Sequence, residues 1–161
     1  MLKKLLEFLG LGSANEENGS SHGAVSALKT VYHTQFRLAE QIKAHARIAP
    51  YPHVAERLRR VAEEKSNVCE TLKGTLLKLG SYLEAEPVLA IKSGRNHWER
   101  MAQDLKDQSF LEQMLQKLSG YLLHDEPEIR ELLRRVLAAE IANREALTAL
   151  LMRADPQADQ T

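Results

Sequence analysis

The chain has 161 residues, 43% hydrophobic and 27% charged, with a formal net charge of zero. This is enough for one domain with its own core, and it excludes a strong global field that would recruit nucleic acid. The single cysteine, Cys69, excludes an intramolecular disulfide and fits a reducing compartment.

Leu, Ala, Glu, Lys and Arg dominate, which favours helices over sheets. Residues 1–80 carry 12 basic and 8 acidic side chains and residues 81–161 carry 10 and 14, a mild asymmetry. No apolar run reaches the length of a membrane span. The first residues lack the apolar core and cleavage site of a secretory signal, so a cytoplasmic location is expected.

Residues 1–11, MLKKLLEFLGL, place Leu2, Leu5, Leu6 and Leu9 on one helical face with Phe8 beside it; Lys3, Lys4 and Glu7 lie mostly opposite. Residues 12–23, GSANEENGSSHG, read as a small-polar linker. The first segment is therefore expected to be a tethered amphipathic helix. It either docks on a membrane surface or a partner, or folds back on the rest of the chain.

From Ala24 the spacing predicts a helix with a stripe of Val25, Leu28, Tyr32, Gln35, Ala39, Ile42, Ala46 and Ala49. "APYPH", 49–53, stops it, and Pro52 suits the first turn of a second helix. That helix carries Val54, Leu58, Val61, Lys65, Val68, Leu72, Thr75 and Leu79, and ends at Gly80. Residues 81–94 are longer than a tight turn needs. A third helix is expected from about Arg95 to Leu123, with Asp107, Phe110, Met114, Leu118 and Tyr121 in register and His97-Trp98 anchoring the connection. In "HDEP", 124–127, Asp125 is expected to cap the fourth helix and Pro127 to open it. Ile129, Leu133, Val136, Glu140, Asn143, Leu147 and Leu150 follow on its buried stripe, and a disordered tail is expected over 155–161. Met101, Met114 and Met152 are core or near-core by spacing, whereas His45 and His53, beside the turn, are expected at the surface. Short first and last connections with a long middle one predict two antiparallel hairpins joined by a crossover over residues 24–154.

Shifting the chain by 75 residues overlays helices 2 and 4: Pro52 on Pro127, Glu56 on Glu131, Leu58-Arg59-Arg60-Val61 on Leu133-Arg134-Arg135-Val136, and Leu72 on Leu147. Matches at polar as well as apolar positions point to a duplicated hairpin, with convergence of two Arg- and Leu-rich helices as the alternative.

On the two hairpins, the crossover, the "APYPHVAERLRRVAEEK" entry into helix 2 and the positions of Glu140 and Asn143, the chain resembles the ferritin-like superfamily, nearest its rubrerythrin-type members. The resemblance implies an all-α, ferritin-like four-helix bundle. It also implies a di-iron site in which each half supplies one Glu from its first helix and a Glu-x-x-His from its second. Carried over, the Glu-x-x-His slots fall at Glu140 and Asn143 and, by the repeat, at Lys65 and Val68. The lone Glu positions, about thirty-three residues upstream in that family, fall at Asp107 and Tyr32. Only Asp107 and Glu140 retain carboxylates among those slots, and no histidine stands in them. A one-residue slip in helix 2 would select Glu64 and Asn67 instead.

An ammonium in a metal's coordination shell repels the cation, and Lys65 can instead neutralise Glu140 and Asp107 beside Tyr32 in the interior. The alternative is that Lys65 snorkels outward and Glu140 reaches solvent. The expected function is a structural or interaction module without a cofactor. Its alternatives are a rubrerythrin-type oxidoreductase acting on peroxide or oxygen, with iron or another divalent metal on Glu64, Asp107 and Glu140, and a membrane-peripheral protein held by residues 1–11. The partners left open are a second copy of the chain, another protein, or weak contact with a membrane surface, but not nucleic acid.

Overall fold

A computed structural model of the protein describes residues 19–84, 89–121 and 126–154. Among these residues there are four helices and no strands: α1 (Gly19–Arg47), α2 (Pro52–Lys78), α3 (His97–Tyr121) and α4 (Pro127–Leu151). Residues 1–11 and the tail 155–161 lie outside the described residues, as does Asp125. No described helix is long and apolar enough to cross a membrane. α1 begins at Gly19, so its first turn takes in residues 19–23, which were expected in the linker.

The helix ends follow local chemistry. Pro52 and Pro127 each stand in the first turn of their helices, where a missing N–H leaves no helical bond unmade. α3 opens on Asn96, whose side-chain oxygen accepts the Glu99 N–H at 2.8 Å. Glu99 in turn accepts the Arg95 backbone N–H at 2.8 Å and pairs with the Arg95 guanidinium. α4 has Glu126 at its cap position with no side-chain cap bond. α2 ends in a Schellman turn, with the Ser81 N–H on the Leu76 carbonyl and the Gly80 N–H on the Leu77 carbonyl, both at 3.0 Å. Gly80 holds φ +71° there.

α1 packs along α2, α3 along α4, and the two hairpins meet as α1 on α3 and α2 on α4. Leu28, Val31, Ile42, Leu58, Leu72, Leu76, Met101, Leu111, Leu115, Leu133 and Leu147 lie in one buried core. Each such side chain contributes roughly 1.5–3 kcal/mol of burial.

The α3 stripe differs from expectation. Met101, Asp104, Gln108, Leu111, Leu115 and Leu118 face the core, while Phe110 is half exposed and Asp107 lies at the edge. The reason is that α3 places polar residues at core positions and an aromatic at the surface, so its apolar period is weak. Leu79 and Met152 are exposed, and the core position at the end of α2 is filled by Leu76. Trp98 is partly exposed, and His97 beside it is the buried member of that pair.

Gly80 is the one described position where a side chain would meet an unfavourable backbone rather than a neighbour: no atom lies within 4 Å of a Cβ built there. Gly80→Ala is therefore expected to cost about 1 kcal/mol through left-handed strain alone. Urea unfolding checks this as a lower midpoint at unchanged slope. An unchanged midpoint would show that the Schellman turn does not limit the end of α2.

Candidate functional site

Two buried polar networks lie inside the bundle. The first is centred on Glu140 of α4, which has no solvent exposure. The Lys65 ammonium of α2 donates to Glu140 Oε2. Gln35 Nε2 of α1 donates to Oε1 at 2.5 Å. Gln108 Nε2 of α3 lies 2.8 Å from both Oε2 and the Glu140 backbone carbonyl. Every helix thus contributes one side chain at a single level, and Lys65, Gln35 and Gln108 are as fully buried as Glu140. Burial pushes the Lys65 ammonium below its ordinary range, and the adjacent Glu140 carboxylate opposes that push. An ammonium and a carboxylate removed from water together, with amides on the remaining lone pairs, avoid the cost of either charge alone.

Asn143 lies one turn beyond Glu140 and is buried, with its Nδ2 making no hydrogen bond. Gln35 Oε1 and Gln108 Oε1 are likewise buried without a partner. Val68, one turn past Lys65, is partly buried against the core, and Cys69 beside it is buried as a small apolar residue.

The structure brings Lys65 and Glu140 together as the charge argument expects, and Lys65 does not snorkel. Asp107 is not brought to them: it pairs with Lys92 at the edge of the bundle. Tyr32 is buried one turn before Gln35, with its ring edge-on to His33 and stacked on Phe36. Gln35 and Gln108 stand at the level assigned above to Tyr32 and Asp107.

The spacing within each hairpin differs from the thirty-three residues that the resemblance implies. The two second helices repeat at a shift of 75, but the burial of α3 follows that of α1 at a shift of 73: Ala24 with His97, Leu28 with Met101, Gln35 with Gln108, Leu38 with Leu111 and Ile42 with Leu115. Gln108 and Gln35 lie 32 and 30 residues before Glu140 and Lys65, so a spacing of about thirty-three falls one residue early on α3 and three early on α1. Gln35 was legible as a core position, because its stripe was correct, but its neutral amide did not mark it as a partner of Glu140. Glu64 and Asn67 are exposed, so the slipped register is not the buried one. Glu64, Asp107 and Glu140 do not converge.

The second network lies between α1, α3 and the connection 79–96. Asp104, fully buried, accepts Gln41 Nε2 at 2.8 Å and lies 2.8 Å from His45 Nδ1. His45 Nε2 lies 2.9 Å from the Lys92 carbonyl oxygen. Gln41 also reaches Asp107 at 3.1 Å, and the Lys92 ammonium pairs with Asp107 at 2.7 Å. His45 is thus interior, against expectation, because the connection folds over the end of α1 and covers it. His53 is exposed. Arg59 and Arg60 pair with Glu56, and Arg134 pairs with Glu131, all on solvated faces at repeat-related positions.

No family model matches the chain, and no curated protein matches it significantly.

Two predictions follow from these networks. Lys65→Met or Glu140→Gln alone strands a buried charge and is expected to cost roughly 3–5 kcal/mol. The double change should recover much of that loss, with a coupling well above the roughly 0.2–1 kcal/mol of an exposed pair. Denaturant unfolding of the four proteins measures it; mild, additive single changes would mean that the pair carries no structural charge balance.

The second concerns Asp107. Partial burial pushes its carboxyl up, but the Lys92 ammonium and the Gln103 and Gln41 amides outweigh that and hold it below its ordinary value of 3.8. A depressed folded value means that its contribution is complete above 3.8 and lost as pH falls through the lower, folded value. The stability difference between wild type and Asp107→Asn should therefore be constant near neutrality and shrink as the pH falls below 3.8. A difference that persists unchanged into strong acid would assign the effect to packing.

Proposed function

We propose that the chain is a ferritin-like bundle in which a buried charge cluster stands where the superfamily holds its di-iron centre, and that it serves as a non-catalytic structural or interaction module. The observation that carries this reading is the single level shared by Gln35, Lys65, Gln108 and Glu140. The resemblance implies four carboxylates there, one per helix, with two histidines one turn beyond. This chain supplies one carboxylate, two carboxamides and an ammonium, followed by Val68 and Asn143.

That donor set does not fit iron. A hard di-metal site needs several anionic oxygens and imidazoles, and here the one carboxylate already has both oxygens bound by Lys65, Gln35 and Gln108. The cluster neutralises its own charge without a cation. The oxidoreductase alternative would need Glu64, which faces solvent, and Asp107, which is paired with Lys92.

The element order supports the same ancestry. α2 runs back along α1 from a short turn, whereas Lys92 in the following connection meets His45 at the far end of α1. A connection that returns the length of the bundle between two hairpins is the superfamily's arrangement.

Protein expressed with added iron is expected to purify with well under one equivalent of tightly bound metal, and to show neither ferroxidase nor peroxidase turnover. Metal analysis and an absorption spectrum decide the point. Two irons per chain with an oxo-bridge band would overturn the reading and promote the oxidoreductase.

A further inference from the structure

The second network contains a proton-counting constraint that the charge cluster does not. Both ring nitrogens of His45 face oxygen: Nδ1 faces Asp104 Oδ2 at 2.8 Å and Nε2 faces the Lys92 carbonyl at 2.9 Å. A backbone carbonyl only accepts, so the proton of that bond must sit on Nε2. Asp104 uses its other oxygen to accept from Gln41, and as a carboxylate it too accepts from the ring. A neutral imidazole has one N–H and one lone pair, so it cannot satisfy both neighbours. The arrangement requires two protons on the His45–Asp104 pair, one on Nε2 and one between Nδ1 and Oδ2.

The Nε2 bond holds part of the connection. Lys92 belongs to the connection between the hairpins and is fastened at two points: its carbonyl by His45 and its ammonium by Asp107. Two residues on, Gly94 lies so close to the start of α3 that a Cβ there would fall 2.6 Å from the Arg100 backbone nitrogen. The connection is thus seated by backbone approach at Gly94 and by a hydrogen bond from a titratable ring at Lys92.

We propose that the His45–Asp104 pair is a proton-dependent latch on residues 89–96, closed while the pair holds two protons and released when it loses one. With one proton gone, a lone pair faces either the Asp104 carboxylate or the Lys92 carbonyl. Retaining the N–H towards the buried carboxylate is the less costly choice, because that bond is charge-assisted. The Lys92 carbonyl then loses its donor and turns to water.

The charged groups around the pair set the direction. On α3, the Asp104 and Asp107 carboxylates bring negative charge to this region, and Arg100, earlier on the same buried side of α3, brings positive charge, as His97 does when protonated. The Lys92 ammonium on the connection is taken up by Asp107, and Lys65 on α2, which feels the Asp104 charge, is neutralised by Glu140. Gln41, on α1 with His45, is neutral. The latch is therefore closed at lower pH and opens as the pH rises.

Hydrogen exchange of the full chain, corrected for the intrinsic rate at each pH, reads the latch directly. Protection of the 89–96 amides relative to the core of α1 and α4 is expected to fall at least about tenfold between pH 5.5 and 8.5, the scale of one charge-assisted bond. His45→Gln should abolish that pH step, and Lys92→Met should keep it, because the backbone carbonyl remains. A protection ratio in wild type that is flat with pH, or a step that survives His45→Gln, overturns the proposal. If His45→Gln does not fold, nitrogen-detected NMR of wild-type His45 decides: an N–H on Nε2 at pH 5.5 that is lost by pH 8.5 is expected, and an Nε2 in the same state at both pH values overturns the proposal.

Discussion

A carboxylate in the middle of a four-helix core must be neutralised, and that requirement organises this bundle. Glu140 sits where water cannot reach it, and its oxygens are met by one side chain from each of the other three helices. Attraction in a low dielectric is strong, but so is the loss of hydration, so the intact cluster adds little net stability. Its consequence is geometric. Only one relative placement of the helices lets Lys65, Gln35 and Gln108 reach the same carboxylate, and sliding any helix by one turn strands a buried charge.

The distribution of polar contacts carries this further. Buried side-chain hydrogen bonds run between the two hairpins and within the second: Gln35 to α4, Lys65 to α4, Gln41 and His45 to α3, and Gln108 to α4. Leu28, Ile42, Leu58 and Leu72 of the first hairpin, with their apolar neighbours, belong to the shared core. Apolar surfaces tolerate small shifts at modest cost, whereas directed bonds do not. A short turn already limits sliding within the first hairpin. Between hairpins, joined by a connection of many residues, no such restraint exists, and the polar contacts supply it.

The match between the two hairpins shows how the cluster balances its charge. Lys65 and Glu140 are equivalent positions of the repeat, and so are Gln35 and Gln108. Equivalent slots in two halves face each other across the bundle, so like charges there would repel. Opposite charges in one pair and neutral amides in the other resolve the repulsion without a cation. The exposed repeat pairs, Glu56 with Arg59 and Glu131 with Arg134, face no such problem and have stayed alike.

Composition and periodicity alone determined the helical class, the number of long helices after the linker, the proline starts at Pro52 and Pro127, and the stop at Gly80. These depend on local sterics and on spacing along one chain. The stripes of α1, α2 and α4 were legible because apolar residues dominate them, and Lys65 and Glu140 stood out as charges within such stripes. The stripe of α3 was not legible, because Asp104 and Gln108 are core residues whose partners lie 63 and 32 residues away along the chain. Nor was the shift of 73 in the first helices, since burial, not identity, is what repeats there. His45 read as a surface residue for the same reason: its burial is created by a connection about 47 residues downstream. A polar side chain becomes part of a core only when a partner from elsewhere in the chain reaches it, and that is decided by tertiary packing.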